Sequence, residues 1–526
     1  MSSSPTPPLA LSAKSGASLT RLLLWASLAL PWLWGLAQLF PPLNHDAGAV
    51  LQWSGRMLAG ERLYVDINDV NPPLIYWLNL IPAGLADLTH LSAPFCFALT
   101  VLATTAATLL LARPLFAQLT PAGSFTALAL PGLALFVLLV YPQGSFGQRE
   151  HLLTVLTLPY LLLASLRALA LPVAPWRAAL VGLVAALGIG IKPHFAFLPL
   201  LIELYLLMLC GWRARLRDPA PWMIAGFGLA YLVAARLIHP QFFSHELPLA
   251  MAYYERGLGW RVLLEPASLG VLLAVIPLAL AAFALRGARL AQILALAALA
   301  ELIGAGLQGR GWDYHFLPAN GTVILLGGAL ATGLLDRWSA AMPAWPKAAL
   351  GGIALVITLQ LSGNLSPPFK GELAFKDSPA GHVLPIIRAA AQGKPVLWFT
   401  TSIYPQFPVL NYTGSVLAMP NESLWLLPAL YANAPTAPDG NIQFHPLSGM
   451  PPAEAEMFQG TIAMAAKMKP ALIITTDSWA EPGYSGRNFD YLAYFGRDPR
   501  FAALFADYRR LTKLAAWTFY ERIPGR

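Results

Sequence analysis

Five short stretches of this sequence hold side chains able to move protons or grip an anion, in a chain otherwise poor in them. Asn44-His45-Asp46 is the first; Asp66, Asp69 and Asn71 form the second, just ahead of Pro72-Pro73-Leu74-Ile75-Tyr76-Trp77. Gly147-Gln148-Arg149-Glu150-His151 is the third, Gly190-Ile191-Lys192-Pro193-His194 the fourth, and Gln308-Gly309-Arg310-Gly311-Trp312-Asp313-Tyr314-His315 the fifth. A carboxylate can take the proton of a hydroxyl. The arginine fork and the lysine point charge suit a phosphate or carboxylate. Each stretch also has a plainer reading. Asp46 could simply cap a helix, Asp66 and Asp69 could be solvated turn residues, and Arg149 and Glu150 an ordinary pair. Lys192 could snorkel to lipid headgroups, and Trp312 and Tyr314 could belong to an aromatic belt. His45, His151, His194, His239 and His315 do not share helical i, i+4 spacing, and the chain has no zinc, phosphate-loop, dinucleotide or serine-elbow pattern. No metal ligand is therefore assigned and no cofactor expected, although the carboxylates are compatible with a divalent metal.

What must position these residues is a membrane protein. Of 526 residues, 57% are hydrophobic and 11% charged, against roughly 25% charged in soluble domains. The formal charge of +8 then reads as cytoplasmic-loop lysine and arginine, not as a nucleic-acid footprint. Cys96 and Cys210 lie in separate apolar runs, which excludes a disulfide framework. Residues 1–21 read as a disordered tail and 22–40 as an uncleaved first span. Apolar runs follow near 95–112, 123–141, 152–170, 178–191, 193–210, 221–238, 268–285, 291–308, 316–335 and 347–363, about eleven spans in all.

Arg113, Arg167, Arg177, Arg213, Arg215, Arg217, Arg286, Arg289, Arg337 and Lys347 share one side if the apolar stretch 73–92 lies along the outer surface without crossing. That side is cytoplasmic, with the N-terminus, and all five stretches fall on the other. Asp46 then starts an amphipathic helix (Ala47, Val50, Leu51, Ser54, Leu58) expected to lie in the interface. A third outer loop, His239 to Glu265, carries weaker candidates in His245, Glu246, Glu255 and Arg256. Beyond residue 363, strand-like runs at Val396–Phe399 and Ala471–Thr476 and a helix-like stretch at 453–468 predict a small α/β domain, 364–526, outside the membrane. The expected architecture is thus a tail (1–21), a membrane domain (22–363) whose outer loop 41–92 carries the acidic motif, and a periplasmic domain.

In this order the motifs resemble the GT-C superfamily of membrane glycosyltransferases, near the lipid A aminoarabinose transferases, protein mannosyltransferases and RgtA/B/C/D-like enzymes. The resemblance spans about residues 20–335. It rests on Asp46 after the first span, Gly60 and Tyr64, the Pro72-to-Trp77 run, Lys192 on a mid-chain turn, and Arg310, Tyr314 and Leu317-Pro318 opening a late span. Where some branches place Glu-Lys before the paired prolines, this chain has Val70-Asn71.

The resemblance implies an inner-membrane enzyme moving a sugar from a polyprenyl-phosphate donor to a glycan, lipid or protein acceptor on the periplasmic face. Asp46 would be the base and Asp66 or Asp69 would orient acceptor or sugar. Arg149, Lys192, Arg310 and His315 would hold the phosphate, with His45, Asn71, Tyr76, Glu150, His151, His194, Asp313 and Tyr314 in support. The rival reading is a transporter or flippase of a lipid-linked or anionic solute, built on Glu203, Arg236 and Glu301. A third is a non-catalytic assembly subunit of an envelope polysaccharide machine. No internal repeat favours transport.

Overall fold

The computed structural model describes residues 25–253, 259–285, 287–338, 367–481 and 483–524. The tail, the start of the first apolar run, the run at 347–363, and Glu255 and Arg256 lie outside them. The helices introduced here are α1 (Pro31–Ala37), α2 (His45–Leu58), α3 (Leu74–Thr89), α4 (Ala93–Leu119), α5 (Phe125–Leu135) and α6 (Arg149–Ala168). Then come α7 (Pro175–Ile189), α8 (Phe197–Cys210), α9 (Pro219–Ile238), α10 (Pro266–Ala284), α11 (Arg289–Gln308) and α12 (Leu317–Trp338). Six helical segments among the described residues are long and apolar enough to cross a membrane, and four shorter apolar helices accompany them. Each apolar run expected between 95 and 335 is one of these helices, with ends moved by a few residues.

Helix α6 is the axis. It is buried along nearly its whole length and packs against α4, α7, α8, α11 and α12. Its first turn is Arg149-Glu150-His151, so three ionisable groups stand at the end of the central helix and not on a peripheral loop. Helix α9 has few fully buried residues and presents much of its apolar surface outward. It meets α7 where Gly182 lets the backbones touch: a Cβ there would lie 2.6 Å from the Ala220 carbonyl oxygen. At the opposite end of the bundle Arg215 bonds Glu203 at 2.6 Å and Asp218 at 2.8 Å, and Arg167 bonds Asp218 at 2.7 Å. Glu203, considered above as a transport charge, thus closes a buried network with Arg215 and Tyr160.

The C-terminal part is built on a five-stranded sheet of β1 (Pro395–Phe399), β2 (Val416–Leu417), β3 (Leu472–Thr476), β4 (Tyr508–Leu514) and β5 (Trp517–Arg522), ordered β2-β1-β3-β5-β4. β1 lies parallel to β2 and β3, whereas β5 is antiparallel to β3 and β4. Val396, Leu397, Trp398 and Phe399 are fully buried, as a central parallel strand covered on both faces requires. Three more helices belong here: α13 (Pro379–Ala391), α14 (Gln406–Thr413) and α15 (Pro452–Met468).

Helix α2 does not lie free in an interface. Its buried face packs α3 on one side and α14 on the other. The Asn411 amide donates to the Gly48 carbonyl (2.9 Å), Gln52 bonds Ser415 and Leu417 (2.9 and 3.1 Å), and Arg56 donates to the carbonyls of Leu417 and Met419 (3.1 and 2.9 Å). The helix is amphipathic, but protein and not lipid covers its apolar face.

Candidate active site

Asn44 caps α2, its side chain accepting from the Ala47 N–H, so Asp46 is not the N-cap. Its carboxylate is left to face α6, where it accepts from the Gln148 amide at 3.0 Å and pairs with Arg149 at 3.3 Å. Gln148 also bonds the Asn44 side chain at 2.9 Å, and Asn44 donates to the Gly144 carbonyl at 2.6 Å. The two segments are thereby pinned together. Gly147 makes the approach feasible: its φ is +76°, and a Cβ would strike the Phe97 ring at 2.4 Å.

The second polar stretch supplies one carboxylate to this cluster and withholds the other. Asp66 turns back on its own loop to accept from Arg62 (N–H 2.8 Å, Nε 2.9 Å), which holds its carboxyl below the usual range and outside the cluster. Asp69 is buried and accepts from the Asn71 backbone (2.8 Å) and side-chain amide (2.7 Å). The Asn71 carbonyl oxygen in turn accepts from Arg149, and the Tyr64 hydroxyl donates to the Asn71 backbone carbonyl. Asn71 therefore links Arg149 to Asp69, next to an arginine already on Asp46. Tyr76 is fully buried, its ring edge-on to Tyr64 at 6.4 Å.

Lys192 stands between α7 and α8 with its ammonium buried, bonded to Glu150 and to the Gln308 side chain at 2.8 Å. Burial pulls its pKa down to about 8, although Glu150 pulls the other way. An ammonium has three N–H donors; Glu150 and Gln308 occupy two. Tyr314 lies beneath it, ring centre 5.8 Å away. His194 and His315 line a small cavity beside Gln308 and Glu301, and His315 feels the charges of Lys192, Arg149 and Arg310. Arg310 stacks over Trp312 at 5.5 Å. Asp313 is exposed just ahead of α12.

His151 is a core residue: Nδ1 accepts from the Gly147 N–H at 2.9 Å, leaving Nε2–H to donate to the Leu138 carbonyl at 2.8 Å. That carbonyl lies in the π-helical turn Phe136–Val140 that continues α5. His45 is partly exposed, 3.9 Å from Asp46, and its ring meets Tyr404 of the C-terminal part at 5.9 Å.

Sequence reasoning passed over Asn44, Gln148 and Gln308, which sit inside the quoted motifs, and Tyr404 and Glu422, which no motif marks. Glu422 carries most weight. Burial and the adjacent Asp69 carboxylate push its pKa well above the usual range, so the C-terminal part brings a second carboxyl group up to the outer-loop one. Glu246 is raised to about 8 by burial, then by Asp69 and Glu456. Chemically, the cluster offers one partly exposed carboxylate, two cations on adjoining helix ends, and a separate set of carboxyls.

No protein-family model matches the sequence, and no curated protein matches it. Solved structures do match by fold. ArnT from Cupriavidus metallidurans bound to undecaprenyl phosphate superposes with a TM-score of 0.56 at 13% identity, over 98% of this chain and 99% of that one. The apo form of the same protein gives a TM-score of 0.56 at 13% identity, over 97% and 98%. The likeness takes in both the helical bundle and the C-terminal sheet. By architecture, then, this chain shares the fold of ArnT, a polytopic helical bundle carrying a small α/β unit at its C-terminus.

Proposed function

We propose that the protein is a glycosyltransferase of the inner membrane that moves a sugar from a polyprenyl-phosphate donor to an envelope glycan, lipid or protein acceptor at the periplasmic face. One observation carries the reading. Asp46, Arg149, Asn71 and Asp69 form a continuous hydrogen-bonded set next to buried Lys192, in a fold shared with a protein crystallised with undecaprenyl phosphate. The N-terminus is cytoplasmic, 22–363 is the catalytic membrane domain, and 364–526 is periplasmic.

Asp46 is the base. It takes the proton from the acceptor hydroxyl as that oxygen attacks the anomeric carbon. The bond from that carbon to the phosphate oxygen breaks, the electron pair leaves with polyprenyl phosphate, and the anomeric centre inverts. Lys192, Arg149, Arg310 and His315 stabilise the departing phosphate, whose second pKa near 6 makes charge more useful than a general acid. Asp69, and not Asp66, orients the acceptor or sugar. Purified protein given a radiolabelled polyprenyl-phosphate sugar and an envelope extract should transfer label to the extract. Movement of intact labelled lipid across a vesicle would favour a flippase instead, and neither event would leave an assembly role.

A further inference from the structure

A cavity of about 420 Å³ opens beyond the cluster just described. That volume lies within the roughly 300–1,000 Å³ usual for small-ligand clefts. Three distant parts of the chain build it: Asn68 from the first loop, His245 from the turn after α9, and Asn421, Glu456, Gln459 and Arg500 from the C-terminal part. Val65, Leu249 and Met457 give it an apolar side.

Three of its residues are followed directly by a member of the carboxyl cluster. Asn68 precedes Asp69, His245 precedes Glu246, and Asn421 precedes Glu422. The first of each pair lines the cavity, while Asp69 acts on both glutamates. A 2.8 Å hydrogen bond from the Asn68 N–H to the Pro420 carbonyl locks two of these segments side by side. Cavity and carboxyls are therefore two faces of one seam.

The lining selects a ligand chemistry. Its charges are paired: His245 Nε2 lies 2.9 and 3.1 Å from the Glu456 oxygens, and Arg500 is 2.8 Å from Asp498, outside the lining, and donates to the Gln459 side-chain oxygen. The remaining polar groups include the side-chain amides of Asn68 and Asn421, which can both donate and accept. Amides beside a mixed apolar wall suit neutral hydroxyls. A phosphate would need uncommitted cations and a lipid tail a continuous apolar trough. We propose that this cavity is the acceptor subsite, taking an uncharged saccharide whose reacting end points along the seam toward Asp69 and Glu422. The proposal rests on the glycosyltransferase reading and adds the acceptor's chemical class and place.

The test uses the full-length protein in the envelope of its own cells. With p-benzoylphenylalanine in place of Ala463, which lines the cavity on α15, irradiation should give a carbohydrate-bearing adduct detectable by periodate staining and mass spectrometry. The same group in place of exposed Arg509 on β4 should give none. Absence of an adduct at 463, a protein adduct alone, or equal labelling at both positions would overturn the proposal. Ala463→Trp provides a second arm: transfer should fall about tenfold or more while undecaprenyl-phosphate affinity is unchanged. Unchanged transfer in a folded Ala463→Trp protein would also overturn it. If undecaprenyl phosphate fails to bind even the unaltered protein, the glycosyltransferase reading fails. If it binds and no saccharide is captured at 463, the subsite alone fails.

Discussion

Lys192 gives the phosphate reading a measurable signature. Its pKa of about 8 means that the free protein carries this positive charge at pH 7 and loses it across a window in which the arginines stay charged. A polyprenyl phosphate is already fully ionised there, its second pKa lying near 6. If the third ammonium N–H grips the phosphate, binding raises the lysine's pKa by an amount equal to the worth of the charged contact. A hydrogen bond to a charged group contributes about 1.5–3 kcal/mol, or roughly 10–150-fold in affinity.

The sign follows directly. Phosphate binding draws on the protonated lysine, so affinity is flat below the free pKa and falls about tenfold per pH unit above it. It levels off once the bound lysine also deprotonates, between about pH 9 and 10. Undecaprenyl-phosphate affinity, read by tryptophan quenching or thermophoresis in detergent from pH 7 to 10.5, should trace this sigmoid. Lys192→Arg should flatten it, because arginine keeps its charge throughout, and Lys192→Met should bind weakly at every pH. A flat curve for the unaltered protein, or the same fall in Lys192→Arg, would refute the assignment of Lys192 to the phosphate.

Asp46→Asn should lower sugar transfer by about 10²–10⁴-fold, the usual worth of a positioned base, with expression and donor affinity kept; near-normal turnover removes Asp46 from the role. Arg310→Ala should weaken undecaprenyl-phosphate binding in a direct assay, and unchanged affinity would detach the Trp312-stacked arginine from the donor. Arg56→Met strands the Leu417 and Met419 carbonyls, each costing about 1–3 kcal/mol if left unsatisfied. It should therefore lower the thermal midpoint and speed proteolysis of the C-terminal part, and unaltered digestion would show that Arg56 does not hold that part. Gly182→Val pushes a side chain into the Ala220 backbone and should cost about 1–3 kcal/mol of stability, read as a lower midpoint in detergent; an unchanged midpoint would mean that α7 and α9 separate freely.

Much of the bundle was legible because a spanning helix must be apolar for most of its length. The β1 and β3 strands were legible for a related reason, since β1 is an unbroken apolar run and β3 opens on Leu472-Ile473-Ile474. The β4–β5 hairpin escaped notice: Tyr508–Leu514 carries three cationic residues on a strand exposed along most of its length, and no apolar alternation marks it. The five polar stretches did converge, since few other places in such a chain can keep charge. The sequence could not choose between Asp66 and Asp69. That choice is made by partners that local sequence does not display: Arg62 captures one, while the Asn68–Pro420 hydrogen bond draws the other inward. Glu422 was invisible for the same reason, being defined only by what it meets. The interfacial placing of α2 failed because periodicity tells which face is buried and not what buries it.

The contacts of Arg56 and Asn68 with residues 417–420 also set a timetable. The outer loop is made before residues 417–420, the segment that completes its hydrogen bonds. Until that segment docks, the Asn68 N–H beside Asp69 and the Arg56 guanidinium lack their carbonyl partners, however well the bundle has inserted. The loop therefore reaches its final form late, as a product of docking and not of insertion. A chain halted before residue 417 would keep its bundle and leave this loop unfinished.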